Sequence, residues 1–124
     1  MSKPQFTTAV VVRHLPEQSD PKTGHQAFAY TITITNTGDV TAQLVARHWV
    51  NTDSNGHTDE LRGLAVVGHQ PVLKPGETFE YTSGTRLATP HGTMRGTFFC
   101  MTEDAWPFEV PVHEFGLTLA SALH

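Results

Sequence analysis

Residues 28–35 read Phe-Ala-Tyr-Thr-Ile-Thr-Ile-Thr, and this alternation constrains the fold more than any other feature of the chain. Successive side chains of an extended strand point to opposite faces. Phe28, Tyr30, Ile32 and Ile34 therefore share one apolar face, with Ala29 and three threonines on the other. The turn formers Asn36, Thr37, Gly38 and Asp39 end the strand.

Six further segments read as strands: Phe6 to Leu15, Thr41 to Thr52, Thr58 to Val67, Glu77 to Gly84, Met94 to Thr102, and Phe108 to Val112 running on towards Leu119. Between the second and third of these, Asn55-Gly56 is a two-residue hairpin signal in which both residues take positive φ. Pro75-Gly76 fits the centre of a type II turn. Pro111 lacks an N–H and places the last segment at an edge or a bend. The tail Leu117 to Leu123 is the only helix-like candidate, and it is short and uncapped. Strands at this spacing predict an all-β antiparallel sandwich or small barrel of about seven or eight strands. Phe28, Tyr30, Ile32, Ile34, Leu44 and Phe79 are expected in its core.

At 124 residues the chain is expected to form one domain, residues 1–124. Its formal charge of −4 and lack of any like-charge run argue against nucleic acid, which needs clustered Lys and Arg. They argue equally against an anionic membrane surface. No apolar stretch follows Met1, and none reaches the length of a membrane span; the cytoplasm is the expected location. Cys100 is the only cysteine, so neither an internal disulfide nor a thiolate metal cage is available.

An ordered series of short motifs runs along the chain. It begins with Phe28 to Ile34, Asn36-Thr37-Gly38, Leu44 to Trp49 (ending Arg47-His48-Trp49) and Asp53 to Gly56. It continues with Val66 to Leu73, Lys74 to Glu77, Tyr81 to Gly84, Pro90 to Gly96 and Phe115-Gly116-Leu117. In this order the chain resembles the ApaG family, called CorD in some bacteria. The resemblance implies a fibronectin type III-like, immunoglobulin-like β-sandwich. It implies a link to cobalt resistance and magnesium efflux, and a protein-interaction role like that of related domains in F-box proteins and a DNA-polymerase-interacting protein. It implies no catalytic residues. The family often carries a Gly-x-Gly-x-x-Gly segment proposed to hold pyrophosphate. Here that segment is Gly63-Leu64-Ala65-Val66-Val67-Gly68, with Ala65 at the middle glycine.

The candidate site residues are Gly63, Val66, Gly68, His69, Arg47 and Trp49. A dinucleotide fingerprint needs a strand, a tight turn and then a helix, but His69-Gln70-Pro71 follow Gly68. The two glycines therefore read first as strand geometry. Leu64 to Val67 and Gln70 to Leu73 are more apolar than one buried face requires, so they cross the core or form an exposed patch. Alternation puts His48 on the face of Leu44 and Ala46, and Arg47 with Trp49 on the other. Trp49 reads preferably as a core tryptophan, or else as an exposed anchor beside Arg47.

His14, His25, His48, His57, His69, His91, His113 and His124 show no His-x-His or His-x-x-x-His spacing, so a metal site would have to assemble across strands. Ser83 lacks the Gly-x-Ser-x-Gly elbow that exposes a nucleophile. Cys100, in an apolar run, reads as a small hydrophobe, and Glu103-Asp104 as a solvated turn. No acid/base or nucleophile constellation appears. The chain is thus expected to be a non-enzymatic module with no cofactor that binds a protein partner, and homo-oligomerisation is open. Phosphate or dinucleoside-polyphosphate binding at Gly63–Gly68 is the first alternative, and histidine metal binding the second.

Overall fold

The computed structural model describes residues 3–20 and 22–118. Eight strands form: β1 (Phe6–Asp20), β2 (His25–Asn36), β3 (Ala42–Asp53), β4 (Thr58–Leu64), β5 (Val72–Leu73), β6 (Thr78–Leu87), β7 (Gly92–Thr102) and β8 (Pro107–Leu117). They make two antiparallel sheets. One has the order β1-β2-β6. The other runs β4-β3-β7-β8, with β5 also paired to β3. The all-β sandwich expected from the alternation is the fold observed. Pro111 lies in β8, an edge strand, where a missing N–H costs no ladder bond. Leu117 closes β8, and the tail beyond Thr118 lies outside the described residues.

Phe28, Ile32, Ile34 and Leu44 are fully buried, Tyr30 is nearly so, and Phe79 packs against the same cluster. Trp49, only 3% exposed, is a core residue. Its ring meets Tyr30 of the opposite sheet at 5.9 Å and Phe98 of its own sheet at 5.5 Å, both edge-on. Aromatic quadrupoles favour such T-shaped contacts. The buried polar Asn36 is well satisfied: its amide donates to the Val40 and Leu73 carbonyls, both at 2.8 Å, and its side-chain oxygen accepts from the Gly38 N–H. One side chain thus ties the end of β2 to β5.

The turn at Lys74–Glu77 closes with a Glu77 N–H to Lys74 carbonyl bond, with Gly76 at φ 87°, as a type II turn requires. The Asn55-Gly56 expectation needs correction. The β3–β4 hairpin forms, but only Gly56 takes positive φ. Gly56 N–H donates to the Asp53 carbonyl and Asp53 N–H to the His57 carbonyl, the pattern of a type I turn followed by a one-residue bulge. The Asp53 carboxylate accepts from the Asn55 and His57 N–H groups, and this local capture selects the turn. Glu103-Asp104 occupies the matching β7–β8 turn, with Ala105 at the left-handed position.

One irregularity governs the face assignments. β3 pairs Leu44 with Cys100 but Ala46 with Phe99, so Val45 is an extra residue on β3. A bulge of this kind shifts the side-chain parity of the strand. Leu44 and Trp49, an odd number of positions apart, therefore both point inward. The expected grouping of His48 with both Leu44 and Ala46 is corrected: His48 and Ala46 share the outer face, and Leu44 lies on the inner one.

Burial raises the ionisation of three core groups above their ordinary values: Tyr30, Tyr81, and the Cys100 thiol, which is pushed from 9.0 up to about 12. Each group keeps its proton in the fold, whereas the unfolded chain sheds it at the ordinary value. Stability from these groups is therefore complete below the thiol's ordinary value and declines as pH rises through the 9–12 window. Urea midpoints should fall steadily as pH rises across that window. A midpoint that does not fall there would contradict the burial of these groups.

Candidate functional site

β3 changes edge partner at its bulge. Its first residues pair with β5, through Ala42↔Leu73 and Gln43↔Val72, and from Ala46 onward it pairs with β4. Residues 65–71 make an excursion between these two partners. Ala65 N–H and the Gln70 side-chain amide both donate to the Val45 carbonyl, so the excursion is anchored on the bulge itself.

The excursion carries a tight hairpin. Val66 N–H donates to the His69 carbonyl and His69 N–H to the Val66 carbonyl, with Val67 at φ 44° and Gly68 at φ 82°. Positive φ at both central residues defines a type I′ turn. Gly68 fits it without strain, whereas a β-branched valine there is an outlier. Ala65, just before the hairpin, is also left-handed, at φ 66°. The strand expected to reach Val67 therefore stops at Leu64.

Each candidate residue now has a place. Val66 is 1% exposed and plugs the core beneath the excursion; Trp49 is also inside. Neither presents its side chain at the surface. Arg47 lies half-buried on the inner face, and its guanidinium donates to the carbonyls of Leu64 and Ala65. Gly63 sits beneath it: a Cβ there would come within 3.1 Å of the Arg47 guanidinium. That close approach explains the glycine. Gly68 and His69 are exposed at the hairpin, and the His69 ring leans on Phe79 at 5.9 Å. Arg47, Gly63 and Val66 thus meet at one seam, with Gly68 and His69 at its tip.

Most of the seam's polar groups are already engaged. A phosphate cradle needs converging free N–H groups, and those of Ala65, Val66 and His69 are already donated to carbonyls. The Arg47 guanidinium is likewise engaged. Among the described residues no three His, Cys, Asp or Glu side chains converge. The histidine polar contacts are local: His48 with Glu60 at 2.9 Å, His57 with Asp59 at 3.5 Å, His25 with Thr23 at 2.8 Å, and His14 with Gln26 at 2.8 Å and Ser19 at 3.3 Å. Ser83 lies within β6, directly across from Tyr30 of β2.

Four of the large exposed apolar residues, Leu64, Val72, Phe99 and Met101, gather on the outer face of the five-stranded sheet. Leu64 of β4, Ala46 of β3 and Phe99 of β7 form one cross-strand row. Val72 of β5, Gln43 and Met101 form the next. Leu64 is 75% exposed, Val72 58%, Met101 40% and Phe99 37%. His48 and Arg62 border the patch and line an open depression with Leu64 and Phe99. Phe99 and Met101 were not singled out in the sequence, although the run Phe98-Phe99-Cys100-Met101 carried the signal. Four consecutive apolar residues in a strand exceed one buried face; Phe98 and Cys100 fill the core, so the other two face out.

The strain at Ala65 yields a stability test. A left-handed alanine costs about 1–2 kcal/mol, partly offset by the greater unfolded-chain freedom of glycine. Ala65→Gly should therefore stabilise the fold by about 1 kcal/mol in urea unfolding. Destabilisation would show that the methyl group packs usefully and that the conformation is unstrained.

Comparison with known proteins agrees with this geometry. A family model described as the ApaG domain matches residues 16–102. The chain is 56% identical over 124 residues to Protein ApaG of Ralstonia nicotianae, covering all of both chains. It is 58% identical over 119 residues to Protein ApaG of Acidovorax sp., covering 94% of this chain and 87% of the relative. A crystal structure of a Bordetella pertussis protein superposes with a TM-score of 0.92 at 55% identity, covering 94% of this chain and 95% of that one. A second solved structure, 39% identical, gives 0.90 over 96% and 90%. The chain belongs to the ApaG family.

Proposed function

We propose that this domain recognises a protein partner, without catalysis, through the outer face of its five-stranded sheet. The observation that carries this reading is the pair of apolar rows, Leu64-Ala46-Phe99 beside Val72 and Met101. Contiguous exposed apolar surface with a polar rim is the usual mark of a protein contact. Here His48, Arg62 and Gln70 supply that rim, and Gln43 sits within the second row between Val72 and Met101. The face is built on rigid strands, so little ordering entropy is lost on docking.

The link to cobalt resistance and magnesium efflux implied by the family resemblance is read here as indirect. The domain supplies recognition in the cytoplasm, and the partner supplies the ion chemistry. No helix among the described residues is long and apolar enough to cross a membrane.

Paired substitution on the two sheets tests this. Phe99→Glu with Leu64→Glu should abolish specific capture of cytosolic proteins while changing stability by only about 0.5 kcal/mol, as surface changes do. Val11→Glu, which alters an equally exposed apolar residue on the other sheet, should leave capture intact. Retained capture by the first variant, or loss in the second, would overturn the assignment of this face.

A further inference from the structure

We infer that the free edge of β4 pairs with the β4 edge of a second copy of this chain, in the antiparallel register centred on Leu61. The inference is independent of which protein covers the outer face.

Hydrogen-bond parity along β4 is fixed at its two ends. Asp53 N–H donates to the His57 carbonyl at 2.9 Å, and Ala65 N–H to the Val45 carbonyl at 2.8 Å. Antiparallel ladders alternate bonded and non-bonded pairs. Between those ends, the pairs Asn51↔Asp59, Trp49↔Leu61 and Arg47↔Gly63 therefore carry the β3–β4 bonds. The backbone N–H and C=O of Thr58, Glu60, Arg62 and Leu64 point away from β3. The Leu64 carbonyl already accepts from Arg47 and has a second lone pair. No strand among the described residues covers this side of β4. Natural edges are usually blunted by proline, a bulge or inward charge. β8 has both proline and a register break, and β1 has Pro16 and a break. β4 and the other free edge, β6, have no proline and unbroken registers with β3 and β2. β4 carries Asp59 on its inner side, and self-complementarity is what singles it out.

The residues on this edge are complementary to themselves. Centring the pairing on Leu61 puts Glu60 opposite Arg62 of the other copy and Thr58 opposite Leu64, each twice by symmetry. Those four residues are the ones with outward backbone groups, so every outward group meets a partner in a bonded pair. Glu60 and Arg62 lie across from Val50 and His48, both on the outer face, so their charges meet on one side of the joined sheet. Leu61, 52% exposed on the inner side, meets Leu61 of the second copy. Moving the centre by one residue either way sets Glu60 against Glu60 or Arg62 against Arg62. Like charges directly opposite are unfavourable, so charge selects the Leu61 register. An isologous contact of this kind closes as a dimer and does not propagate.

Sedimentation equilibrium of the full chain, from roughly micromolar to millimolar concentration, tests the inference, because a contact of one strand edge is small. The wild type should show a concentration-dependent dimer. Glu60→Arg and Arg62→Glu, each creating two like-charge pairs, should each weaken it on the order of tenfold. The double swap Glu60→Arg with Arg62→Glu should restore it, which a mere folding defect would not do. Arg62→Pro removes an outward N–H while leaving the β3 bonds, and should abolish dimerisation with the fold intact by circular dichroism. A chain that stays monomeric throughout, or a dimer indifferent to both single reversals, would overturn the proposal. So would a dimer lost instead on Phe99→Glu.

Discussion

The structure hangs on one extra residue, Val45. Its bulge lets β3 bury Leu44 near one end and Trp49 further along, although simple alternation would put them on opposite faces. Two consequences follow from the same parity change. Trp49 reaches Tyr30 across the sandwich and joins the sheets through an aromatic cluster. Ala46 and His48 turn outward and complete a surface with Phe99 and Leu64. Core and candidate surface are thus set by a single local distortion.

The bulge also accounts for the segment that resembles a phosphate motif. Because β3 exchanges β5 for β4 at this point, the chain between them must leave the sheet and return. It does so with left-handed residues at 65, 67 and 68 and with Val66 pressed into the gap. A glycine at position 65 would be favoured by that backbone alone, without any ligand. Gly63 has an equally local cause in the Arg47 side chain laid over it. Backbone geometry and close packing are thus sufficient causes of both positions. The remaining exposed apolar residues around it, Leu64, Val67 and Val72, carry the case for recognition.

Much of this was legible in the sequence because it rests on local periodicity. The Phe28–Thr35 alternation, the Pro75-Gly76 turn and the edge position of Pro111 each depend on one or two residues and their immediate neighbours. The bulge was not legible as such. Yet the sequence contained its trace, since Leu44 and Trp49 both read as core residues while alternation placed them on opposite faces. Only cross-strand pairing resolves that conflict, and pairing is non-local. The placing of Val66, inside or outside, was left open for the same reason: its burial depends on where β5 and β4 leave room. Phe99 and Met101 were passed over because an unbroken apolar run hides which members face out. The Asn55-Gly56 turn failed differently, where the Asp53 carboxylate overrode a dipeptide preference.

The face assignment can be tested with one fluorophore. Trp49 is buried while Trp106 is 70% exposed, so Trp106→Phe leaves only the tryptophan whose orientation the Val45 bulge decides. The variant should emit at the blue wavelengths of an apolar site and resist acrylamide quenching in the folded state, gaining full quenching only on unfolding. Emission and quenching like those of free indole in the folded protein would place Trp49 outside. The bulge, the inner course of Arg47 and the apolar outer face built on them would then be wrong together.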